Sequence, residues 1–102
     1  MIEVLDVTER SRYEILVDGT FAGFTHYLHH EGALVFDHTV IKEQFAGQGL
    51  ASTLVRATLD DVRAQKGRIV PLCEYVAAWL EKHPDYADLV DRDLLARVLA
   101  TS

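Results

Sequence analysis

The chain has 102 residues, 49% of them hydrophobic and 25% charged, a balance that suits one globular core and excludes disordered or fibrous classes. Its net charge is −6, which argues against nucleic acid as a partner because a phosphate backbone needs a basic face. One cysteine, Cys73, leaves no internal disulfide, and no apolar run approaches the roughly 20 residues of a membrane helix. The start, Met1-Ile2-Glu3-Val4, lacks a basic-then-apolar leader pattern. The expectation is a single domain over 1–102, soluble and cytoplasmic, with no membrane partner.

Ile2 to Val7 is β-branched and partly alternating, the pattern of an edge strand. Arg12 to Asp18 alternates more cleanly, with Tyr13, Ile15 and Val17 on one face and Glu14 and Asp18 on the other. Asp18-Gly19 then predicts a tight hairpin turn. Phe21 to His29 follows as a third strand, and His30-Glu31-Gly32 turns it, so the first third reads as an antiparallel meander. Leu34 to Ile41 is apolar on both faces apart from Asp37, His38 and Thr39, as expected of a central strand covered on two sides. Polar groups in such a strand are hydrogen-bonded or functional.

Gln44-Phe45-Ala46-Gly47-Gln48-Gly49-Leu50-Ala51 joins that strand to an amphipathic run, Leu50 to Lys66, whose Ala51, Leu54, Val55, Thr58 and Val62 fall at helical spacing. Two glycines before a helix can make an anion pocket, because the first helical N–H groups have no internal partner. The same residues also suit an ordinary strand-to-helix turn. Gly67 ends the predicted helix. Arg68 to Cys73 is a short strand that completes a βαβ unit with parallel strands. Pro71 cannot donate a ladder bond, so the strand is expected to splay from its neighbour there. Glu74 to Lys82 reads as a second helix with Tyr75, Val76, Trp79 and Leu80 buried. Asp91 caps a last helix built on Leu94, Leu95, Val98 and Leu99.

The order of these elements, with Gln44-x-x-Gly47-x-Gly49 between strand and helix, resembles the GNAT superfamily of acyl-coenzyme A-dependent N-acetyltransferases. Their signature is Gln or Arg, two residues, Gly, one residue, then Gly or Ala. The likeness is greatest to small single-domain members with a His in the central strand and a Cys after the next one. It covers Tyr13 to about Asp88. It implies an α+β fold: an antiparallel meander leading into a central strand, a βαβ unit with a splayed parallel pair, and helices on the sheet faces.

The resemblance further implies acetyl-coenzyme A as co-substrate. Gln44, Ala46, Gly47, Gln48, Gly49, Leu50 and Ala51 would hold its pyrophosphate, and Thr39, Val40 and Ile41 would pair with its pantetheine arm as an added strand does. His38 and Cys73 would lie near the thioester as catalytic residues. Cys73 has a physical case of its own. A helix beginning at Glu74 favours its thiolate, which the Glu74 charge opposes; as a buried free cysteine it could equally be inert packing. His38 could accept the amine's proton or activate Cys73, or be a satisfied core histidine. Asp37 and Thr39 are expected on the opposite face of that strand. His26, His29 and His30 lack ligand spacing for a metal, and none is expected.

The reaction implied is acetyl transfer to a primary amine, directly or through Cys73. Only Thr8-Glu9-Arg10-Ser11 separates the first two strands, where larger members insert helices. The acceptor side should therefore be open, suiting a bulky amine such as a protein or a polyamine. The alternative is a non-catalytic coenzyme A-binding or protein-interaction module.

Overall fold

The computed structural model describes residues 1–101, and every expected strand and helix is present among them. Strands β1 (Ile2–Val7), β2 (Arg12–Val17), β3 (Thr20–His30), β4 (Ala33–Ile41) and β5 (Ile69–Pro71) form one sheet in sequence order. The first four are antiparallel, and β4 and β5 are parallel. Helix α1 (Leu50–Ala64) crosses from β4 to β5, followed by α2 (Glu74–Lys82) and α3 (Arg92–Thr101). The α+β architecture thus matches the sequence reading. Asp18-Gly19 makes the first hairpin turn, and Glu31-Gly32 repeats its geometry in the second.

Helices α1 and α2 cover one face of the sheet. Leu54, Val55, Leu59, Val76 and Trp79 pack there against Tyr13, Ile15, Tyr27 and Phe36. At about 1.5–3 kcal/mol for each large apolar side chain buried, this layer carries most of the stability. Polar pins fix α1 to α2 and to the turn that follows it: the Trp79 indole donates to Ser52 Oγ at 2.9 Å, and the Tyr86 hydroxyl, beyond α2, donates to Asp60 at 2.7 Å. Helix α3 takes the other face, but only at one end, where Leu94 closes over Ala33, Val35 and Val70. Its start is capped as expected, with Leu94 N–H donating to Asp91 Oδ1 at 3.0 Å. The rest of that face carries Arg12, Phe21, Phe24, His26, His38 and Val40, with the Arg12 guanidinium 4.4 Å from the Phe24 ring centroid.

Two details differ from the sequence reading. Helix α1 stops at Ala64 rather than Lys66; Lys66 itself takes the left-handed conformation, and Gly67 N–H closes the end on Val62 C=O. The larger difference is a bulge in β4. Tyr27 pairs with Phe36 and His26 with His38, which leaves Asp37 as an extra residue. In such a bulge the extra residue breaks the two-residue alternation and re-aims the side chains beyond it.

Candidate active site

The β4–β5 ladder is only three pairs long, Leu34 with Ile69, Val35 with Val70 and Phe36 with Pro71. It ends where Pro71 has no N–H to give. Phe36 C=O then accepts from two successive amides, Leu72 N–H at 2.9 Å and Cys73 N–H at 2.8 Å. The chain turns there into α2 with Cys73 as its cap residue. From Asp37 onward β4 has no strand on that side, so the expected splay is present. Lys42 N–H bonds to Ala22 C=O. By alternation, Val40 turns its backbone toward β3, and Thr39 and Ile41 turn theirs toward the open gap. Of the three residues expected to pair with an extended ligand, the register therefore supports Thr39 and Ile41. Val40 is corrected: its side chain lies exposed on the opposite face.

The bulge also decides which side chain meets the thiol. Thr39 Oγ1 lies 3.4 Å from Cys73 Sγ and 2.9 Å from Thr25 Oγ1. Thr25 is 0% exposed and Cys73 5%. A hydroxyl chain thus runs from buried Thr25 through half-buried Thr39 to the sulfur. It holds a hydroxyl able to donate toward negative charge on sulfur or on a neighbouring oxygen.

His38, expected beside Cys73, is on the other face of the sheet. Its ring stacks on His26 with centroids 5.1 Å apart, and its Nδ1 is 3.4 Å from Asp37 Oδ1. The alternation that should have put His38 on the Phe36 face is shifted one residue by Asp37, and Thr39 takes that place. The structure does not bring His38 and Cys73 together. No sequence signal marks the bulge. Thr25, by contrast, could have been found as a hydroxyl on the apolar face of β3, two residues before Tyr27.

The glycine loop leaves the end of β4 through a helical turn at Glu43–Phe45. Gly47 and Gly49 both have positive φ, +80° and +72°, and a Cβ at either would meet nothing within 4 Å. Backbone conformation favours glycine there, and the space beside both is open. Thr53 N–H to Gly49 C=O is the first helical bond, and no side chain caps α1. The N–H groups of Leu50, Ala51 and Ser52 are consequently without intrahelical partners and stand at the positive end of a 15-residue helix. Ala46 is a correction, because its N–H is already bonded to Glu43 C=O at 3.1 Å. Gln44 and Gln48 are exposed beside the loop, while the Leu50 side chain is buried in the core.

A sequence model of the GCN5-related N-acetyl-transferase family matches residues 12–89, from β2 to the turn after α2. The chain belongs to this family. Among solved structures, this GNAT domain is similar to a Staphylococcus aureus protein described as GCN5-like. The TM-score is 0.65 and identity 21%, with 86% of each chain covered. It is also similar to the ribosomal-protein-alanine N-acetyltransferase of Brucella melitensis biovar Abortus 2308, with TM-score 0.50 and 20% identity. That match covers 78% of this GNAT domain and 60% of the larger chain. At these identities the two neighbours show the fold alone. No protein of curated function matches in sequence. The splayed β4–β5 pair and the uncapped helix after Gly49 are the parts of this GNAT domain able to take an extended, anionic ligand.

Proposed function

We propose that this GNAT domain binds acetyl-coenzyme A and transfers its acetyl group to a primary amine. The single observation that carries the reading is the early end of the β4–β5 ladder at Pro71, which leaves the gap side of Thr39 and Ile41 without a neighbouring strand, beside a buried thiol. The pyrophosphate is assigned to the backbone of Gly47 to Ala51 at the positive end of α1. The pantetheine arm adds to the edge of β4. Gln44 and Gln48 flank the loop, and the thioester falls beside Thr39 and Cys73.

Two routes share this placement. In direct transfer, the neutral amine attacks the thioester carbonyl, the C–S bond breaks, and the departing coenzyme A thiolate takes up the proton the amine loses. In the covalent route, the Cys73 thiolate attacks first and expels coenzyme A as thiolate. The amine then attacks acetyl-Cys73 and releases the cysteine thiolate, and its proton passes to solvent. The Thr39 hydroxyl, 3.4 Å from the sulfur, supports the thiolate in the second route. The open sheet face leaves room for a bulky acceptor such as a protein amine or a polyamine.

Acetyl-coenzyme A at 100 times its dissociation constant should stabilise the folded chain by about 2.7 kcal/mol. That raises the melting temperature by about 10 °C or more. Gly47→Glu and Gly49→Glu, which place a carboxylate where the pyrophosphate should sit, should abolish the rise. Equal shifts in all three proteins would overturn the assignment of the loop. Intact mass after incubation with acetyl-coenzyme A, with Cys73→Ala as control, separates the routes: a single acetyl adduct absent from the variant supports the covalent one. The burial of Cys73 favours a second reading, a coenzyme A-binding module without transfer. It is distinguished by coenzyme binding with no adduct and no release of coenzyme A thiol across an amine panel.

A further inference from the structure

We infer that His26, Asp37 and His38 form a binding site for a borderline divalent metal ion of the Zn2+ class, on the sheet face opposite Cys73. One ligand atom from each of the three lies within 4.8 Å of the others. The closest approaches are His26 Nδ1 to Asp37 Oδ1 at 2.8 Å and His38 Nδ1 to the same oxygen at 3.4 Å. Tetrahedral zinc with ligands at about 2.0–2.2 Å needs donors separated by roughly 3.4 Å.

The backbone assembles this group. His26 and His38 are cross-strand partners, so their side chains rise from one face. In a regular strand only Asp37 would face His26 and His38 would share the face of Phe36; the bulge turns His38 to the side of His26 and Asp37. The ligand set is thus a product of the same irregularity that separates His38 from the thiol. All three side chains are reachable, at 26%, 29% and 58% exposure for His26, Asp37 and His38. Arg12 is the cross-strand neighbour of His26, but its charge is engaged by Glu14 at 2.8 Å. Two imidazoles and one carboxylate select a borderline ion over Ca2+ or Mg2+, which prefer all-oxygen sites, and leave at least one position for water or an exchangeable donor.

The test uses tag-free, chelator-treated chain carrying Cys73→Ala, so that no thiol competes. Zn2+ is titrated against a chromophoric chelator, and Co2+ is added separately to read its visible absorption. One equivalent should bind, and His38→Gln or Asp37→Asn should each weaken binding by at least about tenfold and remove the Co2+ bands. A His29→Gln, His30→Gln double variant should bind as its parent does. His38 is exposed, so its loss leaves folding intact, and urea midpoints without metal check this for each variant. Absence of stoichiometric binding, equal binding by His38→Gln, or loss in the His29, His30 variant would each overturn the site.

Discussion

Gly23 has less room for a side chain than any other described glycine and gives the sharpest prediction. A Cβ built there would lie 2.3 Å from Val40 O, 2.7 Å from Ile41 Cδ1 and 3.0 Å from Ile41 Cα. Carbon contacts are optimal near 3.5–4.0 Å, so Gly23→Ala forces β3 and β4 apart by roughly 1 Å. Two of the three obstructing atoms are backbone and cannot swing aside. Overpacking of this kind costs about 2–3 kcal/mol, a large part of a small domain's total, and should lower the melting temperature by about 10–20 °C. Urea unfolding followed by circular dichroism measures it as a lower midpoint at unchanged slope. Gly19→Ala is the control. It has φ +81° with nothing within 4 Å, and should lose only about 1 kcal/mol from conformational strain. Equal losses at the two positions would refute close approach as the cause. Because the displaced strand is the one bordering the gap, Gly23→Ala should also weaken coenzyme A binding.

Two further predictions concern stability alone. The Tyr27 hydroxyl donates to Asp6 at 2.7 Å and that of Tyr13 to Asp61 at 2.6 Å. Burial, and then the carboxylate partner, hold both phenols protonated well above their usual range near 10. Above that pH the unfolded chain binds fewer protons than the folded one. Their contribution is therefore full below about pH 10 and is lost as pH rises beyond it. The urea midpoint should fall above pH 10, less steeply in Tyr27→Phe; identical slopes would remove this account. Leu94, 1% exposed, is the main contact of α3 with the sheet. Leu94→Ala should cost about 2–5 kcal/mol and raise amide exchange selectively in α3, whereas uniform exchange across the chain would show that α3 does not open separately.

Most of the fold was legible because periodicity and turn chemistry agree in this chain. The alternation of Tyr13, Ile15 and Val17, the Asp18-Gly19 turn and the helical spacing from Ala51 to Val62 each point to the element that forms. Pro71 announced the end of a ladder, since a missing N–H is a local fact. Asp37 could not be read, because a bulge depends on how two strands register, and nothing in Phe36-Asp37-His38 distinguishes it from regular strand. That one residue exchanged the faces expected of His38 and Thr39 and turned the Val40 backbone away from the gap. The Ala46 error has a similar origin, since the turn at Glu43–Phe45 takes up an N–H that looked free.

Phe36 C=O is the point at which the sheet stops and α2 starts, because it holds both Leu72 and Cys73. Mechanically, one oxygen is a shared pivot for the edge of the gap and the base of the second helix. Both bonds tie the start of α2 to β4, so levering β5 from β4 at this point would require breaking them. The thiol is therefore held by the same strand edge that borders the gap, and its place beside that edge is fixed by backbone rather than by side-chain packing alone.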